Sequence, residues 1–224
     1  MNDPTKKLRV LLTGASGMVG EGVLLECLEN DAVAAVTVLG RRACGHHHPK
    51  LREILHADFL NLVPIADQLS GFDAGFFCLG ASSVGLTEVE YTRVTYTLTL
   101  HAAEMLAAHN PEMIFCYVSG AGTDSTERGR MMWARVKGRT ENDLRKLPFK
   151  QAVAFRPGVI KPLPGQLHVL KLYKRLRWLY PIIRTLAPGA AGTVQEIGRA
   201  MINAARRGSP KPVLEVKDIR ALAT

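Results

Sequence analysis

The stretch that most constrains the fold is 8–20, where Leu8-Arg9-Val10-Leu11-Leu12-Thr13 runs directly into Gly14-Ala15-Ser16-Gly17-Met18-Val19-Gly20. An apolar strand that turns through glycines at G-x-x-G-x-x-G spacing and enters a helix near Met18 reads as the opening βα unit of a nucleotide-binding sheet. The first two glycines permit a tight turn and a close approach of backbone to a diphosphate. The third lets the new helix sit against the strand. Free N–H groups and the positive dipole end of that helix complete an anion cradle. Spaced glycines also mark ordinary turns, but here Val23, Leu24, Cys27 and Leu28 follow at helical spacing and supply the required context.

The alternation continues along the chain. Strand-like runs over 34–39, 53–58, 75–79, 113–118 and 152–155 are separated by helical segments, the longest over 88–109. This order predicts an α/β fold, a doubly wound parallel sheet with right-handed crossovers and helices on both faces. A length of 224 residues suits one large domain. Its expected parts are a dinucleotide-binding core over 1–160, a small helical substrate-covering region over 161–192, and a helix and strand over 193–224 that complete the same domain. The four cysteines (Cys27, Cys44, Cys78, Cys116) are scattered, as in a reducing compartment. The polar N-terminus leads straight into the first strand without a secretory leader, and no apolar run approaches the ~20 residues of a membrane span. The expected location is cytoplasmic, and the expected state a monomer or homodimer. A net charge of +9 favours anionic partners. No aromatic residues interleave with a basic face, so nucleic acid is not an expected partner.

In an open parallel sheet, ligands sit beyond the carboxyl ends of the strands. Arg41 and Arg42 follow the second strand, where an acid would be placed to bind the ribose hydroxyls of an unphosphorylated dinucleotide. Two guanidiniums there suit a 2′-phosphate, so the expected cofactor is NADP, with NADPH preferred over NADH. Asp58, beside Phe59, is placed to accept from an adenine amine or to form a turn. Leu79, Gly80 and Ala81 offer small residues and open backbone where a ribose can pass. The run His46-His47-His48 invites a metal reading, but adjacent histidines do not converge on one ion and Pro49 marks a loop, so no metal is expected.

Further on come Ser119-Gly120-Ala121-Gly122-Thr123-Asp124-Ser125 and Met132-Trp133-Ala134-Arg135-Val136-Lys137-Gly138-Arg139-Thr140-Glu141. With these the chain resembles the extended and atypical NAD(P)-binding branch of the short-chain dehydrogenase/reductase superfamily, in particular the epimerase/dehydratase-like oxidoreductases of the Tat-interacting oxidoreductase branch. The matching motifs are T-G-A-S-G-x-V-G, the arginine pair, C-L-G-A-S, the serine strand, V-K-G-x-x-E and Phe155-Arg156-Pro157-Gly158-Val159. They fall in the family's order over roughly 8–160. The resemblance implies cofactor contacts from Gly14, Ser16, Gly17, Met18, Val19, Arg41, Arg42, Asp58, Phe59, Leu79, Gly80, Ala81, Ser119, Lys137, Pro157, Gly158 and Val159. It also implies a catalytic serine at Ser119, a ribose-binding lysine at Lys137 and, four residues before the lysine, a proton-transferring tyrosine.

That tyrosine position holds Trp133. An indole N–H only donates and does not titrate, so it can hold a carbonyl oxygen but cannot shuttle a proton. The i, i+4 spacing still places Trp133 and Lys137 on one helix face. Tyr91, Tyr96, Tyr117, Asp124, Ser125 or a relayed water are the alternative proton sources. In the last third, Val169, Leu172, Tyr173, Leu176 and Leu179 form a helical stripe over 166–180. Lys161, Lys171, Lys174, Arg175, Arg177 and Arg184 lie among no acids. Packing as lid or core is favoured over contact with an anionic membrane, and the basic face suits an acidic or phosphorylated substrate. The expected function is an NADP(H)-dependent oxidoreductase acting on a small carbonyl or hydroxyl compound. The alternative is an NADP(H)-binding regulatory or sensor protein with little turnover.

Overall fold

A computed structural model describes residues 6–169 and 179–224. Seven parallel strands form one sheet in the order β3-β2-β1-β4-β5-β6-β9: β1 Leu8–Thr13, β2 Val33–Gly40, β3 Leu51–Leu55, β4 Ala74–Phe77, β5 Ile114–Val118, β6 Gln151–Arg156 and β9 Val213–Glu215. The order reverses between β1 and β4, which opens the crevice where ligands of such sheets bind. A second, two-stranded parallel sheet joins β7 Val159–Lys161 to β8 Ala191–Thr193.

The inner strands β1, β2, β4 and β5 are largely apolar because both faces are covered there. On one face Val10, Leu12, Val36, Val38, Phe76, Cys116 and Phe155 pack with α1 (Met18–Glu29), α6 (Val194–Arg207) and α7 (Val216–Leu222). On the other, Leu11, Leu39, Phe77, Phe115 and Tyr117 pack with α3 (Leu98–His109) and Leu144 of α4 (Met132–Leu144). The long helix expected over 88–109 is continuous but contains a π-helical turn at Arg93–Thr97, between α2 (Glu88–Thr92) and α3. Thr87 and Glu90 cap α2 reciprocally, and Thr193 and Glu196 do the same for α6.

The third strand, expected over 53–58, lies at Leu51–Leu55. It is an edge strand whose outward side chains give no clean alternation, and its pairing of Val36 with Leu51 sets where it starts. The final strand ends at Glu215, because Glu215 and Asp218 form a capping box that starts α7 at Val216. Most of the helical stripe expected over 166–180 lies outside the described residues. α5 (Leu179–Leu186) follows it and returns the chain to β8.

Candidate dinucleotide site and its catalytic neighbourhood

Parallel pairing brings Thr13, Leu39 and Phe77 into line, so the loops after β1, β2 and β4 leave the sheet together. Gly14 turns the chain out of β1 with φ +78°, and a Cβ on it would lie 2.6 Å from the Cys78 carbonyl carbon. Only glycine fits so close to the end of β4. A Cβ on Gly20 would lie 2.1 Å from the Gly14 carbonyl oxygen, so the third glycine seats α1 against its own loop as well as the strand. Ser16 and Gly17 are exposed, and no side chain caps the amino end of α1 at Gly17. The positive dipole end of the helix lies there.

Arg41 and Arg42 are exposed at the end of β2 and have no ion-pair or hydrogen-bond partner among the described residues. Asp58 is exposed, and its Oδ1 accepts from the Leu60 N–H at 2.9 Å. The Phe59 ring is buried in the core, which leaves its backbone as the part open to a ligand. Leu79 is half-buried, whereas Gly80 and Ala81 are exposed. Gly14, Ser16, Gly17, Met18, Val19, Arg41, Arg42, Gly80 and Ala81 thus converge on one edge. An open glycine turn, an uncapped helix end and two exposed cations with no partner among the described residues fit a phosphorylated dinucleotide. The histidine run is used locally: His46 Nε2 lies 2.9 Å from Glu21 Oε1, and His48 Nδ1 accepts from the Lys50 N–H at 3.1 Å.

At the β5–β6 end the polar groups engage one another. Ser119 is buried, and its Oγ donates to Glu141 and lies 3.2 Å from the Phe155 carbonyl. Glu141, itself 1% exposed, receives Arg156 Nε at 3.0 Å and Nη2 at 2.6 Å. Arg156 continues to Ser125 Oγ at 2.6 Å and Glu215 at 3.1 Å. The K-G-x-x-E and F-R-P-G motifs, both visible in the sequence, therefore meet as one buried network, a pairing that sequence reasoning missed. Gly138 makes it possible: a Cβ there would sit 1.8 Å from the Asp124 carbonyl oxygen.

Lys137 Nζ donates to the Ser119 carbonyl at 2.8 Å and lies 5.8 Å from the Tyr117 ring centroid. Burial pulls this ammonium down to about 8, against the opposing pull of Glu141. Trp133 is half-buried, its six-membered ring 3.5 Å from where a Gly122 Cβ would stand. Its indole N–H has no partner among the described residues.

The other proton-source candidates are committed elsewhere. Tyr91 and Tyr117 are buried, which raises both phenols. Tyr96 donates to Asp143 at 2.8 Å and is raised by burial and that carboxylate. Asp124 is held below the usual carboxylate range by Thr126 and the Gly129 N–H, so it stays ionised as a loop former. Pro157 and Val159 spend their backbone groups on the Ala121 N–H and the Ala190 carbonyl. Gly158 is pressed against Ala190, where a Cβ would fall 2.2 Å from its carbonyl oxygen.

A profile of the NAD dependent epimerase/dehydratase family matches residues 10–129. The chain is 29% identical over 203 residues to the protein HTATIP2 of Rattus norvegicus, covering 87% of this chain and 79% of that protein. It is 30% identical over 159 residues to the mitochondrial protein fmp52 of Aspergillus fumigatus, covering 67% of this chain and 66% of that one. The ADP-L-glycero-D-manno-heptose-6-epimerase of Helicobacter pylori shares the fold, with a TM-score of 0.70 at 17% identity over 100% of this chain and 82% of that one.

Proposed function

The chain belongs to the NAD dependent epimerase/dehydratase family, and from that premise we propose that it is an NADP(H)-dependent oxidoreductase of atypical short-chain dehydrogenase type acting on a small carbonyl or hydroxyl compound. The observation that carries the reading is the pair of exposed guanidiniums, Arg41 and Arg42, which have no partner among the described residues, at the strand end next to the uncapped amino end of α1. Two planar donors matched to a dianionic phosphate favour NADPH over NADH. When bound, the dinucleotide supplies or takes hydride. In this reading Lys137 holds the ribose hydroxyls near Ser119, and the Trp133 N–H orients a substrate oxygen as a donor alone. The substrate is a small molecule, with an anionic one suited to the basic 161–184 region. Four free thiols support a reducing compartment such as the cytoplasm. Among the described residues no helix is long and apolar enough to cross a membrane.

A second reading, an NADP(H)-binding regulatory or sensor protein, is favoured by one observation: Trp133 replaces the proton donor while the nearby tyrosines and Asp124 are buried or committed. Fluorescence titration tests the cofactor; tighter binding of NADPH than NADH is expected, and the reverse order overturns the arginine argument. NADPH oxidation across aldehydes, ketones and quinones tests turnover. Wild type is expected to reduce at least one class. If Trp133→Tyr creates activity that wild type wholly lacks, the binding-protein reading replaces the enzyme.

A further inference from the structure

Glu21 lies on the first turn of α1, just past the glycine loop, and is 0% exposed. A carboxylate removed from water is costly unless donors meet both oxygens. Its donors come from two segments far apart in the chain. Oε1 accepts from the Leu167 N–H at 2.6 Å and lies 2.9 Å from His46 Nε2. Oε2 accepts from the His168 N–H at 2.8 Å, with His168 Nδ1 at 3.3 Å. Burial alone would raise the carboxyl, but the two amides, His46 and His168 outweigh it and hold it below its ordinary value.

Each segment is fastened again nearby. Gln166 Nε2 donates to the Met18 carbonyl at 2.7 Å, and its Oε1 accepts from the Leu163 N–H at 2.6 Å. Gln166 is itself buried. His46 belongs to the loop that opens with Arg41 and Arg42, and that loop is pinned once more where the Cys44 N–H donates to Glu53 at 2.7 Å. One buried carboxylate therefore joins three parts: the helix behind the glycine turn, the loop carrying the arginine pair, and the 163–168 segment, which belongs to the region expected to cover the substrate.

We propose that Glu21 is a positioning residue that couples the Arg41–Arg42 loop to the docking of 163–168 on α1, so that holding a 2′-phosphate and ordering the substrate side are one event. Its ligand half rests on the NADP(H) reading above. The lock itself stands on contacts of the chain alone. Fixing the loop at His46 restricts the arginines that precede it, and pre-ordering donors in this way lowers the cost of binding. The coupling is reciprocal: a phosphate that steadies the loop also steadies 163–168.

Hydrogen exchange read by mass spectrometry on the full chain tests both halves, using Glu21→Gln and His46→Ala. Without ligand, Glu21→Gln is expected to speed exchange in 43–49 and in 163–169 together; faster exchange in only one segment, or in neither, overturns the lock. With ligand, NADPH is expected to slow exchange over 163–169 of wild type more than NADH does, and His46→Ala to abolish that difference. The same variant should weaken NADPH about five- to tenfold while leaving NADH nearly unchanged. Equal protection by the two dinucleotides, or an unchanged NADPH preference in His46→Ala, overturns the coupling. If wild type binds neither dinucleotide, the cofactor reading falls and the coupling with it, while the ligand-free exchange still decides the lock. If Glu21→Gln does not fold, His46→Ala decides the lock instead, since its side chain is 17% exposed and its loss leaves Glu21 bonded to both amides. Its ligand-free exchange must then rise over 43–49 and over 163–169 together, or the lock is overturned.

Discussion

At the β1–β2 end of the carboxyl edge Ser16, Arg41 and Arg42 face outward with no side-chain partner among the described residues, whereas at the β5–β6 end the polar groups are spent on one another. Ser16, Gly17, Arg41 and Arg42 are exposed, and the amino end of α1 carries no side-chain cap. Ser119, Glu141, Arg156, Ser125 and Glu215 form one branched network of hydrogen bonds, and Lys137 donates to the Ser119 carbonyl. Unsatisfied donors at one end suit an external anion. Satisfied ones at the other hold the loop after β5 on α4 and leave little free acid for chemistry. The same contrast separates binding from turnover as properties this chain can have independently.

The sharpest way to break the contrast is to open the closed end. Arg156→Met removes both guanidinium donors from the Glu141 carboxylate, 1% exposed, and leaves it the Ser119 hydroxyl as a hydrogen-bond donor and the electrostatic attraction of Lys137. Breaking a buried pair in this way costs about 3–5 kcal/mol. Urea denaturation is expected to show that loss for Arg156→Met and an unchanged midpoint for Arg41→Ala/Arg42→Ala. A stable Arg156→Met protein would mean that Glu141 takes up a proton or finds water, and the network would lose its structural role.

How much of this was legible differs between the two ends for the same reason. The open end is built from neighbours in sequence, so the strand, the three glycines, the start of α1 and the arginine pair were all readable from local pattern. The long helix over 88–109 and the Thr193 cap were readable likewise. The closed end depends on contacts between separate motifs, and no local rule says that Glu141 and Arg156 meet across β5 and β6. Glu21 was hidden more deeply: nothing local marks it, because its amide partner Leu167 is 146 residues away. Val159–Lys161 and Ala191–Thr193 are too short to announce a sheet, and the edge strand β3 has too little buried face to fix its own limits.

A smaller effect tests the open end. Replacing both arginines, Arg41→Ala/Arg42→Ala, removes the charge-assisted bonds available to a 2′-phosphate and is expected to weaken NADPH on the order of ten- to a hundredfold. NADH, which lacks that phosphate, should change little in the same fluorescence titration. Raising the salt concentration should erode wild-type NADPH binding more than that of the double variant, because exposed charges are screened. Equal losses for both dinucleotides would reassign the arginines to general attraction and remove the basis for NADPH preference.

The smallest effect on binding lies at Lys137, beside Ser119 at the β5–β6 end. Burial takes its ammonium from an ordinary 10.5 to about 8. The unfolded chain keeps the proton up to the higher value, so between about 8 and 10.5 it binds more protons than the folded chain does, and stability rises with pH across that window. Below about 8 both forms are protonated and the burial penalty is present in full. If Lys137 holds the ribose as proposed, binding responds with the opposite sign: above about 8 the folded chain loses that cation, and NADPH affinity should fall severalfold. Lys137→Arg, which stays charged, should flatten both profiles, whereas Lys137→Met should remove the stability rise and start at the weaker affinity. Stability and affinity that move the same way with pH would show that Lys137 is not the titrating group. The closed end would then hold no dissociable proton near neutrality, and the balance between the two readings would tip towards binding without turnover.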